Sequence, residues 1–192
     1  MYFAENPDAN HDIHELKVEL LGESMTFLTD AGVFSKKMID YGSRVLLSAL
    51  EFNKKETLLD VGCGYGTLGL TLAKAQGLEV TLVDINQRAL DLARKNADAN
   101  QVSADIFQSN IYEHVTGQFH HIISNPPIRA GKQVVHEVIS GSYDHLLADG
   151  DLTIVIQKKQ GAPSAKAKME EVFGNCETLK KDKGYYILRS VK

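Results

Sequence analysis

Two hydrophobic periods run along the chain. From Glu56 onward, short runs rich in aliphatic and β-branched residues at 56–61, 79–84, 103–108, 119–124 and 151–157 alternate with longer stretches of helical spacing. That alternation predicts a parallel sheet with crossover helices. Ala89, Leu90, Ala93 and Ala97 mark one helix face after the second run, and Val134, Val135, Val138, Ile139, Leu146 and Leu147 mark another after the fourth. Residues 36–52, with Met38, Ile39, Val45, Leu46, Ala49 and Leu50, also read as helical. At both ends the pattern changes to paired strands: 15–21 and 25–29 flank Gly22-Glu-Ser, and 177–181 and 185–189 flank Asp182-Lys-Gly. The expected fold is α/β: a doubly wound, mostly parallel seven-stranded sheet closed by an antiparallel hairpin, with a small N-terminal β-hairpin cap.

A chain of 192 residues can bury one substantial core and is short for two ordinary domains. We therefore expect one domain over 1–192, with 1–35 as a cap and covering segment and 36–192 as the core. With 43% hydrophobic and 24% charged residues, the composition is that of a soluble globular protein. Cys63 and Cys176 stand far apart, which gives neither a disulfide framework nor metal-ligand spacing and fits a reducing, cytoplasmic setting. The first residues have no basic and apolar secretory pattern, and the most apolar stretch, 58–73, is interrupted by four glycines and Asp60, so neither a leader nor a membrane span is expected. The histidines suggest no metal: His120 and His121 are expected on opposite strand faces, and His11 and His14 lack cysteine partners. His136, about one helical turn after Lys132, is read as a solvated helix residue, with the substrate pocket as the alternative.

Candidate chemistry begins at Leu58-Leu-Asp-Val-Gly-Cys-Gly-Tyr-Gly66, where a buried strand turns into a helix. Glycines at 62, 64 and 66 permit a tight turn and close approach of a ligand to the backbone. About 20 residues on, the second strand ends in Asp84, where a carboxylate can accept from ribose hydroxyls. The GxGxG spacing, with Asp60 two residues ahead, differs from the dinucleotide GxGxxG and favours a sulfonium nucleoside over a pyrophosphate. The plainer alternative makes the glycines turn residues and Asp84 a helix cap. The stretch resembles the first motif of class I methyltransferases, which implies S-adenosylmethionine as cofactor. On that resemblance the candidate cofactor residues are Phe34, Asp60, Gly62, Cys63, Gly64, Gly66, Asp84, Ile85, Asn110, Ile111 and Asn125. Asn110 stands where such enzymes place an acidic residue near the adenine amine, and its amide oxygen can still accept that hydrogen bond.

Ile122-Ile-Ser-Asn-Pro-Pro-Ile128, at the end of the fourth strand, is the most informative string. Its prolines fix φ and hold the loop's carbonyls in place. An exocyclic amine is a poor nucleophile because its lone pair is delocalised into the ring. The Asn125 side-chain oxygen and the Pro126 carbonyl can each take one N–H and aim the lone pair at a methyl donor, so catalysis rests on positioning and electrostatics. Asn125, Pro126, Pro127 and Ile128 are the catalytic candidates.

Phe27, Gly32-Val-Phe-Ser35 and Asp40, followed by Asn125-Pro-Pro-Ile-Arg-Ala-Gly131, resemble the small-subunit ribosomal RNA guanine-N2 methyltransferase family. The resemblance covers almost the whole chain and implies methylation of guanine N2 in ribosomal RNA, with the Gly32–Ser35 segment covering the cofactor. Larger members carry a second, degenerate half at the N-terminus, which this sequence lacks. Ile128 stands where adenine and release-factor glutamine methyltransferases usually carry an aromatic residue; a stacked base is worth roughly 1–3 kcal/mol. Protein glutamine methylation and an inactive cofactor-binding scaffold are the competing readings. The net charge of −4 argues against wholesale, nonspecific binding to nucleic acid and leaves room for a local basic rim. Arg129, Lys132, Lys180, Lys181 and Lys183 are the candidate substrate contacts, with Lys36, Lys37, Lys158 and Lys159 nearby, while Glu5, Asp8, Asp12, Glu15, Glu19 and Glu23 crowd the cap.

Overall fold

The computed structural model describes residues 3–5 and 8–192. The N-terminal hairpin pairs β1 (His14–Leu20) with β2 (Glu23–Thr29). Its two-residue turn is Leu21-Gly22, both at positive φ, one position earlier than the sequence suggested, so Glu23 and Ser24 belong to β2. Positive φ at both central residues matches the twist of the flanking strands.

The remainder is α1 (Tyr41–Ala49), β3 (Thr57–Val61), α2 (Thr67–Gln76), β4 (Glu79–Asp84), α3 (Gln87–Ala99), β5 (Ala104–Gln108), β6 (Phe119–Ser124), α4 (Lys132–Ser142), β7 (Leu146–Gln157), α5 (Ala162–Phe173), β8 (Glu177–Asp182) and β9 (Tyr185–Val191). The seven-stranded sheet runs β5-β4-β3-β6-β7-β9-β8, parallel through β7 and antiparallel at β9 and β8. Alternate strand residues feed two cores. Leu58, Val80, Leu82, Ile123 and Ile187 pack with α1, α2, α3 and the hairpin; Leu59, Val83, Ile122, Ile154 and Leu188 pack with α4 and α5. This is the doubly wound arrangement expected from the alternating pattern.

Two helical expectations are corrected. The first helix starts only at Tyr41, capped by Asp40, and Met38 lies outside it, 69% exposed. Leu146 and Leu147 are not helical: α4 ends at Ser142, a 3-10 turn covers Tyr143–His145, and β7 starts at Leu146. Asp149-Gly150 is an irregularity within β7, with Asp149 at positive φ and a Cβ on Gly150 that would lie 2.9 Å from the His120 carbonyl oxygen.

The hairpin is fastened through two asparagines, Asn96 on α3 and Asn100 at its C-cap. Asn96 accepts from Leu28 N–H (2.7 Å) and donates to Leu28 O (3.0 Å), and Asn100 does the same for Thr26 at 2.9 and 2.7 Å. Each side chain thus stands in for a neighbouring strand and satisfies the edge of β2. Asn96 also donates to the Tyr65 carbonyl at 2.8 Å, tying the hairpin to the turn after β3.

At the amino-terminal edge of the sheet, His121 Nδ1 lies 2.7 Å from Asp151 and Nε2 3.2 Å from Glu56, with Phe52 stacked on the ring and Arg189 on the other Asp151 oxygen. His120 and His121 take different partners, as expected of strand neighbours on opposite faces: His120 Nδ1 accepts from Thr57 N–H at 3.0 Å, while His121 meets Asp151 and Glu56. Burial opposes charging His121, but the two carboxylates outweigh it and raise its pKa above the ordinary value.

Two expected outcomes test this packing. Asn96→Ala leaves the Leu28 and Tyr65 backbone groups unpaired and should cost about 3 kcal/mol in urea denaturation; a loss below about 1 kcal/mol would make the asparagine incidental. The His121 cluster contributes stability that is complete below the unfolded histidine pKa of about 6.5 and is lost as pH rises through the raised folded value. The stability difference between wild type and His121→Gln should therefore shrink above that window, and a pH-independent difference would contradict the charged cluster.

Candidate active site

Strand order reverses between β3 and β6: β4 and β5 extend the sheet on one side of β3, and β6 and β7 on the other. At such a switch point the loops leaving adjacent strands diverge and open a crevice at the carboxyl edge. Here the crevice is a cavity of about 580 Å³, within the usual range for small-molecule sites. The loops after β3 and β6 form its walls. The two strand ends are clamped together by Ser124 Oγ, fully buried, which donates to Val61 O at 2.7 Å.

The loop after β3 is shaped by its glycines. Gly62 and Gly64 have φ of +75° and +56°, and a Cβ on either would meet no atom within 4 Å. Both positions line the cavity. Gly62 and Cys63 N–H donate to Val83 O at 2.9 Å, and Asp84 Oδ2 accepts from Gly64 N–H at 2.8 Å while Oδ1 accepts from Asn86 N–H at 2.9 Å. Asp84 therefore braces the loop and reaches the cavity wall; burial raises its pKa, against the lowering effect of those N–H groups. It is not a helix cap, because the N-cap of α3 is Asn86.

Asp60 and Gly66 sit differently from the sequence expectation. Neither lines the cavity. Asp60 lies beneath the loop, fully buried, with Oδ2 accepting from Gly69 N–H at 3.1 Å and Oδ1 without a partner among the described residues. Burial pushes its pKa up to about 7, aided by the nearby Asp84 charge. Gly66 is the N-cap of α2, where a Cβ would lie 2.6 Å from Leu70 Cδ1, so its task is the close turn into the helix.

The loop after β6 presents Asn125, Pro126, Pro127, Ile128 and Arg129 to the cavity. The Asn125 amide nitrogen donates to Asp40 Oδ2 at 2.9 Å and Ser43 Oγ at 3.0 Å. Its Oδ1 accepts no hydrogen bond from the described residues. The Pro126 carbonyl is likewise without a donor among them, whereas the Pro127 carbonyl is taken by Ala130 N–H at 2.9 Å. Two oxygens without a donor among the described residues thus belong to consecutive residues of the loop that lines the cavity together with the glycine turn.

Of the other candidates, Phe34, Cys63, Ile85, Asn110 and Ile111 line the cavity. Phe34 is 41% exposed, and its segment is held over the glycine turn by Tyr65 OH donating to Ser35 O at 3.1 Å. Ile111 has φ +55°, a strained conformation for a β-branched residue. The basic candidates divide. Arg129 lines the main cavity, and Lys132 borders a smaller one of about 100 Å³ that shares Ile128 and Gln160 with it. His136 also borders the small cavity and is half-buried against Ser164 at 3.0 Å, not solvated as expected. Lys180 donates to Ser48 on α1, Lys181 lies over Tyr186, and Lys183 lies over Tyr41. None of those three lines the cavity. Sequence reasoning missed Ser43, Tyr185 and Gln157 as cavity residues. The Asp40-Tyr-Gly-Ser43 string was the available signal. Among the described residues no group of His, Cys, Asp or Glu is placed to hold a metal, and no helix is long and apolar enough to cross a membrane.

Comparison with known proteins agrees with this geometry. The YbxB protein of Bacillus subtilis (strain 168) is 44% identical over 196 residues, covering all of this chain and 98% of that one. A ribosomal RNA small subunit methyltransferase C of Erwinia tasmaniensis is 38% identical over 90% of this chain, which spans only 51% of that protein. The T. thermophilus 16S rRNA N2 G1207 methyltransferase (RsmC), solved with AdoMet and guanosine, superposes with a TM-score of 0.87 at 28% identity, covering 97% of this chain and 52% of that one. The fold is thus the Rossmann-like methyltransferase fold. Residues 24–189 match the methyltransferase small domain family, and the chain belongs to that family.

Proposed function

We propose that this protein transfers a methyl group from S-adenosylmethionine to an exocyclic amine, and that the amine is guanine N2 in small-subunit ribosomal RNA. The observation that carries the proposal is the Asn125 amide: its nitrogen is occupied by Asp40 and Ser43, which leaves Oδ1, like the carbonyl of the next residue Pro126, without a donor among the described residues. An acceptor pair of this kind suits a donor with two N–H bonds.

The residues fit the cofactor. The missing Cβ atoms of Gly62 and Gly64 leave the cavity floor open for its methionine part. Asp84 has remaining lone pairs for ribose hydroxyls, Ile85 and Ile111 supply apolar walls for the adenine, and the Asn110 amide can accept from the adenine amine. Phe34 closes the site from above. When bound, S-adenosylmethionine supplies an electrophilic methyl group on a sulfonium.

The chain's own residues then act on the acceptor. Asn125 Oδ1 and Pro126 O each take one N–H of the target amine, which orients its lone pair away from the ring. The same oxygens stabilise the positive charge that develops on nitrogen, and because they are fixed before substrate arrives, no reorganisation is needed at the moment of transfer. Pro126 is buried and Pro127 holds φ near −72°, so the loop keeps its shape. Ile128 at the cavity wall offers an apolar edge without an aromatic face.

The guanine assignment draws on the names of the ribosomal RNA methyltransferase relatives and of the solved structure that contains guanosine. A glutamine carboxamide also offers two N–H bonds, so protein substrates are the second reading. Incubation with labelled cofactor and either small ribosomal subunits or release factors, followed by nuclease or protease, separates the two. We place the protein in the cytoplasm as a single catalytic domain, with Arg129 on the cavity wall and Lys132 on the adjoining one as RNA contacts.

Asn125→Ala should leave cofactor affinity by calorimetry unchanged while lowering kcat by about 10²–10³, the usual effect of removing one preorganised electrostatic interaction. Asp84→Ala should show the reverse emphasis, weakening cofactor binding. Equal loss of cofactor affinity in both variants would move Asn125 into the cofactor site. Reversal of Arg129 and Lys132 to glutamate should weaken RNA binding and reduce the slope of log affinity against log salt by about 0.7–0.9 for each phosphate no longer neutralised. The same reversal at Lys54, ahead of β3 and away from the cavity, should leave the slope as it is; an unchanged slope in the double variant would place the RNA elsewhere.

A further inference from the structure

We infer that Asp40, assisted by Ser43, is a positioning residue that fixes which atom of the Asn125 amide faces the acceptor amine. This rests on the proposed role of Asn125. It adds a residue 85 positions away in sequence, itself on the cavity wall, whose task is to orient the Asn125 amide.

An asparagine in a loop can turn its amide end for end at little steric cost, since its oxygen and nitrogen have nearly the same shape. The two orientations are chemically opposite here. With Nδ2 towards the cavity, the side chain would present donors to a target that has only donors on its amine. The acceptors behind Asn125 decide the matter. Asp40 Oδ2 at 2.9 Å and Ser43 Oγ at 3.0 Å both receive Nδ2 in the observed orientation. Turning the amide would set Oδ1 against a carboxylate oxygen at that distance and remove a charge-assisted hydrogen bond. The carboxylate also polarises the amide and strengthens Oδ1 as an acceptor.

Asp40 is itself held. It is the N-cap of α1, and the same Oδ2 accepts from Ser43 N–H at 3.0 Å. Gly42 completes the arrangement: a Cβ there would lie 2.9 Å from Tyr185 Cε1 and 3.0 Å from Asp40 Oδ2. Glycine at that position lets the Tyr185 ring and the Asp40 carboxylate close on the same point of α1. The Asp40-Tyr-Gly-Ser43 string is therefore one device, in which an acceptor, a space and a hydroxyl act together on a loop from another strand.

The test separates this role from helix capping. Asp40→Ser keeps an effective N-cap but is too short to reach Asn125, whereas Asp40→Asn keeps an oxygen for both N–H donors. In the intact protein, NMR should show the Asn125 side-chain NH2 with slow solvent exchange in wild type and Asp40→Asn, and fast exchange in Asp40→Ser. With labelled S-adenosylmethionine and small ribosomal subunits, Asp40→Ser should lower kcat roughly 10- to 100-fold, the scale of a misplaced reacting group. Cofactor affinity should not change, and Asp40→Asn should recover most of the turnover. On an Asn125→Ala background, Asp40→Ser should add no further loss, since the two act as one unit. Ser43→Ala, which leaves the cap intact, should behave as a weaker version of Asp40→Ser and serves if that variant does not fold.

Additive losses in the double variant, or full turnover in Asp40→Ser beside an inactive Asn125→Ala, would overturn the inference. A fully active Asn125→Ala would overturn the functional reading, and the catalytic meaning of Asp40 with it. The NMR arm still reports separately whether Asp40 holds the amide.

Discussion

The site depends on one pairing, that of β3 with β6. These strands lie side by side in parallel although the whole β4–β5 unit intervenes in sequence. Their carboxyl ends carry the two loops with chemical content, and Ser124 Oγ to Val61 O joins the last residue of each strand across 63 positions of sequence. The residues that follow this clamp are Asn125 and Gly62. A cavity between two loops on separate strands keeps its width only if the strands cannot shear, and a buried hydrogen bond beside the loops opposes that motion where it matters. The glycine turn, the Asp84 brace and the Asn-Pro-Pro loop all inherit their relative positions from it.

Around that frame the structure holds polar groups in fixed, incompletely satisfied states. Asn125 Oδ1 and the Pro126 carbonyl are unpaired among the described residues at a cavity wall. Asp84 uses one lone pair per oxygen on backbone N–H groups. Groups already ordered surrender little freedom when a ligand arrives, which is how a site without a strong base can act. Asp60 shows a different use of a carboxylate. It is buried under the turn, and its contact with Gly69 N–H joins β3 to the first turn of α2.

Much of this was legible in the sequence, for physical reasons that also explain the failures. The strands, the crossover helices and the closing hairpin follow from period, and the residues on the cavity wall follow from the rule that loops at carboxyl strand ends carry ligands. Leu146 and Leu147 misled because a buried strand entry and a helix end look alike in a short apolar run. Lys180 and Lys181 were grouped as one patch, although neighbours on a strand point to opposite faces; one contacts α1 and the other Tyr186. Asn96 and Asn100 carried no signal in the sequence, since nothing local shows that an edge strand will need their amides. The link from Asp40 to Asn125 was invisible for the same reason: tertiary hydrogen bonds between distant loops leave no period.

If an acceptor pair on the Asn-Pro-Pro loop selects an exocyclic amine, the identity of the methylated atom must show it. Small ribosomal subunits from a strain lacking this protein, incubated with it and S-adenosylmethionine, can be digested to nucleosides and resolved by mass spectrometry against N2-methylguanosine. The added methyl group should appear as N2-methylguanosine, up to one per subunit. A methyl group on a ring nitrogen, a ribose oxygen or a ring carbon, none of which offers two N–H bonds to Asn125 and Pro126, would contradict this selection.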